Sequence, residues 1–293
     1  MLLPSVRPSP ARPRSLVLLA PTASVVPDSF RGVEVDAAQH ATMLAGLQRL
    51  RGRVYLRDGA ITDAQLTADG CHVQEADDAS WHVVSLQPDG SVMACARFRV
   101  HEADVAPEAL GVWSSALARS ASWSGRLRHA IESDMSLARL RNIVYAEVGG
   151  WAVAEEWRRT TQAATTALST YALAESLGGC IGITTATVRH CSSRILRKLG
   201  GRSLECAGEQ VPAYFDPQYG CEMEILRFDS SAPGRKYDSH VARLARQLRD
   251  LPVICATPGL RPAANAPHGL LPSLAALAER HVPCFGTGEL APA

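Results

Sequence analysis

Apolar positions along this chain fall into short blocks, and their spacing separates helices from strands. Residues 37–53 carry Met43, Leu44, Leu47 and Leu50 at helical intervals, which predicts an amphipathic helix. Two apolar-rich runs, 82–86 and 92–100, flank Gln87-Pro88-Asp89-Gly90, where proline and glycine take the places a tight turn wants. A hairpin is expected there. Residues 142–153 read as a strand and 158–177 as an alanine-rich helix capped by Gly178-Gly179. A short strand follows at 180–184, then a helix over 187–199 with Val188, Ile195 and Leu199 on one face. Residues 221–228 alternate as a further strand, and 237–248 form a basic amphipathic helix. Strands interleaved with helices in this way predict an α/β domain around a mixed central sheet.

The ends differ from the middle. Residues 1–34 are proline-rich, with prolines at 4, 8, 10, 13, 21 and 27, and read as a mobile leader. Its run Leu16-Val17-Leu18-Leu19-Ala20, preceded by arginines, faintly resembles a secretory signal but is short and stopped by Pro21. Residues 35–250 are expected to hold one folded domain. The tail, 251–293, carries seven more prolines and one helical patch near 270–279, and partial order is expected.

At 293 residues and 46% hydrophobic, the chain can bury a large core, and no segment is long and apolar enough to span a bilayer. A net charge of +1 gives no reason to expect nucleic acid or a membrane surface as partner. Eight cysteines without any CxxC pair point to a reduced, cytoplasmic protein rather than a disulfide framework or zinc site. Nine histidines show no metal-ligand spacing, and no metal is expected. His82, beside Trp81, reads as a packed residue.

Residues 145–163 carry the chemistry. An apolar strand bears one acid, Glu147, and two glycines, Gly149 and Gly150; Trp151-Ala152-Val153 follow, and Arg158-Arg159-Thr160-Thr161-Gln162-Ala163 open a helix. First-turn amides lack partners and the helix dipole favours anions, so such a junction can hold a pyrophosphate. Paired glycines inside a strand mark a bulge or a close backbone approach, which would splay the sheet and open a slot. A carboxylate on that strand is placed to take a proton from something bound beside the anion. Burial would raise its pKa for the task. The plainer alternative for Glu147 is an ion pair with an arginine such as Arg97.

The order of elements and the 145–163 block resemble the GNAT superfamily of CoA-dependent N-acyltransferases, whose pyrophosphate signature is Arg/Gln-x-x-Gly-x-Gly/Ala. Arg158 to Ala163 match it by position, with Thr161 where glycine is usual. Leu196 stands where the family often has a general-acid tyrosine. Scattered blocks over about 50–230 are similar to the autoinducer synthases and long-chain N-acyl amino acid synthases within that superfamily. Arg51 and Tyr55 match an Arg-x-x-x-Phe pair, Arg97 a strand arginine and Glu147 a strand glutamate. Gly150 stands where the lactone-forming members keep an arginine, which points to an amino acid or other small amine as acceptor.

The resemblance implies a GNAT-like sheet with a splayed strand pair. It implies acyl transfer, by direct attack of an amine, from an acyl carrier protein or acyl-CoA thioester, with no permanently bound cofactor. Glu147 and Arg97 would be catalytic; Trp151, Ala152 and Val153, with Arg158 to Ala163, would hold the donor. Arg51 and Tyr55 would lie at the substrate or carrier side, although Arg51, Arg53 and Arg57 also read as an ordinary solvated face. A short-chain acetyltransferase and a non-catalytic module on the same scaffold are the alternatives.

Overall fold

Leu18 of the expected leader pairs with Val253 of the expected tail, so segments far apart in sequence meet inside one sheet. The computed structural model describes residues 15–102 and 104–258. Its strands are β1 (Ser15–Leu19), β2 (Gly32–Val35), β3 (Trp81–Leu86), β4 (Val92–His101), β5 (Val144–Val153) and β6 (Cys180–Thr187). Shorter pieces follow, β7 (Arg202–Ser203), β8 (Glu205–Cys206), β9 (Glu209–Gln210) and β10 (Tyr214–Asp216), then β11 (Cys221–Asp229) and β12 (Pro252–Cys255). The helices are α1 (Ala37–Arg57), α2 (Ser124–Leu140), α3 (Thr161–Ser176), α4 (Ser192–Leu199) and α5 (Asp238–Leu248).

The main sheet runs β10-β11-β6-β5-β4-β3-β1-β12-β2, with β7 on β11, while β8 and β9 form a separate pair. β5 lies parallel to β6, and β12 lies parallel to both β1 and β2; the neighbours from β6 to β10 and from β5 to β1 are antiparallel. The expected mixed α/β architecture is therefore present. α3 and α5 pack with Leu18, Val83, Ala146 and Val253 on one face. On the other face α1 covers Val17, Leu19, Val84 and Cys95, and α2 covers Tyr145, Ile181, Ile183 and Ile225.

The boundary at 35 between leader and domain needs correction, because β1 and β2 already belong to the sheet. Of the run Leu16–Ala20, Leu16 to Leu19 lie in β1, with Leu18 and Leu19 at 0% exposure. A strand covered on both faces shows a continuous apolar run instead of alternation. The tail boundary at 251 is also too early, because β12 lies between β1 and β2. Residues 1–14 and the helical patch near 270–279 lie outside the described residues. The sequence reading also left α2 unassigned, although it supplies Leu127, Ala130, Ile131 and Met135 to the core.

Several other boundaries move. The helix expected from 158 begins at Thr161, capped by Thr160, whose hydroxyl accepts the Gln162 N–H at 3.1 Å. The one expected from 187 begins at Ser192, because β6 runs on to Thr187. The hairpin at 81–101 and the α1 face of Leu47 and Leu50 form as expected. The basic helix α5 is docked on α3 through Val241, Leu244, Ala245 and Leu248.

Candidate active site

Strands β5 and β6 pair from Val144–Cys180 to Glu147–Ile183, and there the pairing ends. Beyond it β5 continues to Val153 and β6 to Thr187 without pairing to each other, so a wedge opens in the sheet with Glu147 at its apex. The other edge of β5 is distorted to match. Cys95 pairs with Ala152 and Arg97 with Gly149, which leaves Gly150 and Trp151 together opposite Ala96. This is a β-bulge, and it bends the strand away. Gly150 makes it possible: its φ is +59°, and a β-carbon there would lie 3.2 Å from both Nη1 of Arg51 and Cβ of Arg97.

A cavity of about 930 Å³ lies at the wedge and is lined from both faces of the sheet. Arg97, Arg99 and Glu147 line it on the α1/α2 face, and Ala167, Tyr171 and Phe228 on the α3 face.

Glu147 is 15% exposed and held by three donors. Its Oε2 accepts from Nε2 of His101 at 3.0 Å and from the Gly111 N–H at 3.0 Å; its Oε1 accepts from the Val112 N–H at 3.1 Å. The bond fixes the His101 tautomer, since Nε2 must carry the hydrogen it gives to a carboxylate. Burial pushes the Glu147 carboxyl up, but His101 and the two amides together pull it below its ordinary value. The expectation of a raised pKa is therefore overturned: donors to the charged form outweigh desolvation. The expected plain alternative fails as well, because Arg97 pairs elsewhere.

No family model matches the sequence, and no curated protein matches it. Among solved structures the chain is similar to a CoA-dependent acyl-homoserine lactone synthase, BjaI, solved with SAM and isopentyl-CoA. The TM-score is 0.51 at 10% identity, over 86% of this chain and 96% of that one. The chain shares the fold of that structure. A second such synthase, MesI, is similar at TM-score 0.46 and 13% identity, over 80% of this chain and 94% of that one. The N-acyl amino acid synthase FeeM, from uncultured soil microbes, follows at 0.41 and 10%, over 75% and 93%.

Within this synthase-like fold the expected site residues part into two groups. Glu147, Arg97, Tyr55, Trp151, Ala152, Val153, Arg158, Arg159 and Ala163 all line the cavity. Thr160, Thr161 and Gln162 do not; Thr161 is exposed at the start of α3, and the Gln162 amide donates to Oγ of Ser85 at 2.6 Å. Arg158 and Arg159 precede the helix cap, so neither sits in the first turn against the dipole. Arg158 grips Asp58 through both Nη atoms, at 3.2 and 2.6 Å. Arg159 stands exposed with φ +64°.

Arg51 needs the largest correction. It is neither a carrier-docking residue nor part of a solvated face, because its side chain is 0% exposed and ion-paired to Asp77. Nη1 reaches Oδ1 of Asp77 at 2.7 Å, and Nη2 bonds both Oδ2 of Asp77 and the carbonyl of His72. Arg97 joins the same cluster, giving Nη1 to Oε1 of Gln74 at 2.6 Å and to Asp77 at 3.3 Å. Two guanidiniums thus hold one carboxylate. Burial pushes Asp77 up, but the Arg51 hydrogen bond and charge drive it far below the carboxylate range. Tyr55 lies beneath, with its hydroxyl 3.4 Å from the Trp151 carbonyl.

His101, Gly111 and Val112 are the site residues that sequence reasoning missed. His101 had a usable signal: on β4 it lies diagonal to Glu147 across the β4–β5 pair, facing the same side. The two amides had none, since residues 107–114 show no period. His82 is packed as expected, 1% exposed, with Nε2 2.9 Å from the Asp77 carbonyl. Among the described residues no group of His, Cys, Asp and Glu could hold a metal ion, no helix is long and apolar enough to cross a membrane, and the seven cysteines are free thiols.

Proposed function

We propose that this chain is an N-acyltransferase that moves an acyl group from an acyl-CoA or acyl carrier protein thioester to the amine of an amino acid or similar small amine. The observation that carries this reading is the position of Glu147, the last residue of β5 paired to β6, at the apex of an open wedge. A wedge in a sheet accepts an extended thioester arm between the two strand edges. The acid at its apex then faces the acceptor as it approaches that arm.

An amine is protonated at neutral pH and must first release a proton to water, so that the nitrogen attacks with a free lone pair. Glu147, kept ionised by its three donors, attracts the ammonium and retains lone pairs to accept a hydrogen bond from it. Its low basicity suits it to the later proton: once the C–N bond forms, the nitrogen becomes far more acidic, and Glu147 passes the proton on to water. The backbone of β5 from Trp151 to Val153 polarises the carbonyl as an oxyanion site. The C–S bond then breaks and sulfur leaves as thiolate, whose modest basicity makes a tyrosine at position 196 dispensable. Arg158 and Arg159, at the cavity rim before α3, take the donor's phosphate end.

The test is to give the purified protein octanoyl-CoA, acetyl-CoA and a long-chain acyl carrier protein, each with a panel of amino acids and amines, and to weigh the products by mass spectrometry. N-acylated product that disappears in Glu147→Gln, with sequential kinetics, is expected. Absence of transfer from every donor, or a ping-pong pattern with an isolable acyl-enzyme, overturns the reading.

A further inference from the structure

Arg99 faces Glu147 directly across the β4–β5 pair, and the two side chains therefore share a face of the sheet. An arginine opposite a glutamate ordinarily pairs with it. Here it does not: Glu147 accepts from His101, Gly111 and Val112, and Arg99 is not among its donors. Arg99 makes no ion pair and no hydrogen bond to any described residue, although it is half-buried and lines the cavity. Its neighbour on the same face, Arg97, is committed to Gln74 and Asp77. A guanidinium withdrawn from water without an anion is unfavourable, and its planar fork matches a carboxylate.

We infer that Arg99 binds the carboxylate of an α-amino acid acceptor whose ammonium is directed to Glu147. The proposal rests on the N-acyltransferase reading and narrows its acceptor to amino acids with a free carboxyl group. The geometry sets the two ends of such an acceptor on adjacent strands: opposite Cβ atoms in an antiparallel pair lie about 5 Å apart, and the long arginine side chain spans the rest. Arg97, two residues earlier on β4, is not available for this role, because its charge is already compensated by Asp77. An amine of similar size without a carboxylate would reach Glu147 and leave Arg99 unmatched.

The experiment compares amino acids with their carboxamides, which keep the amine and shape but lose the charge. Direct binding to the full chain is measured by isothermal titration calorimetry, and acyl transfer is measured in parallel with octanoyl-CoA as donor. Wild-type protein is expected to bind at least one amino acid about 10- to 100-fold more tightly than its amide, the range of a charge-assisted bond. Arg99→Gln should abolish the preference by weakening only the acid, and Arg99→Lys should restore part of it. Equal binding of acid and amide by the wild type overturns the assignment without relying on any variant. Transfer to amides as efficient as to acids also overturns it while leaving the acyltransferase standing. An acid preference without any transfer keeps Arg99 as a carboxylate site and sinks the enzyme.

Discussion

Gly111 donates its N–H to Oε2 of Glu147 at 3.0 Å, and a β-carbon added to that glycine would lie 3.3 Å from Oε1. Loop and strand are thus fitted to each other at the wedge apex. Gly111→Ala forces a shift of a few tenths of an ångström where the carboxylate is aimed. It should leave the fold intact while lowering kcat more than it raises KM. Steady-state kinetics beside an unchanged melting curve check this.

Glu147→Gln keeps the volume and removes the charge. It should lower kcat/KM by about 10²- to 10⁴-fold, the span of a lost acid–base group. Because the Glu147 carboxyl is held below its ordinary 4.5, its ionisation stabilises the fold above the unfolded value and is lost as pH falls through the lower folded one. The neutral range of the rate profile should therefore show no titration belonging to Glu147. An acid limb near pH 6 that vanishes in the variant would contradict this assignment.

The buried Arg51–Asp77 pair predicts a large stability effect. Both side chains are almost wholly buried, at 0% and 2% exposure. Asp77→Asn leaves a guanidinium without its anion and should cost about 3–5 kcal/mol. Urea denaturation measures it, and a loss under about 1 kcal/mol would show that water reaches the cluster.

Gly150→Ala places a side chain at φ +59°, against Arg51 and Arg97. A cost of about 1–3 kcal/mol is expected from strain of this kind. Activity should fall further than stability, because the bulge sets the direction of β5 beyond it. Parallel melting and activity measurements separate the two.

His82 predicts an acid-sensitive fold. Burial pushes its pKa down to about 4, so the neutral ring is the folded form. Between the ordinary 6.5 and about 4 the unfolded chain binds the extra proton, and stability falls as pH drops through that window. Two and a half pH units correspond to on the order of 3 kcal/mol. The slope should flatten in His82→Gln; an identical slope in both proteins would assign it to other groups.

Arg158 and Arg159 should separate as donor ligands. Arg158 also holds Asp58 from the end of α1, so Arg158→Ala should weaken both CoA binding and thermal stability. Arg159→Ala should weaken only CoA binding, because Arg159 is exposed and makes no described contact. Equilibrium binding of CoA beside melting curves tests the split.

What the sequence determined on its own was local. The helical stripe of α1, the turn between β3 and β4, the cap of α3 and the acid followed by two glycines are each legible within a few turns of chain, because each period or turn residue acts on its neighbours. Tertiary structure decided everything that needs distant segments to meet. Leu18 beside Val253 makes paired inner strands of segments that read as parts of a proline-rich leader and tail, since pairing a parallel strand depends on a partner rather than on composition. Burial of Arg51 followed from Asp77, which arrives from a loop with no period of its own. The parting of β5 from β6 at Glu147 and Ile183, and the donors that lower the Glu147 pKa, arise only once four separate segments are packed together.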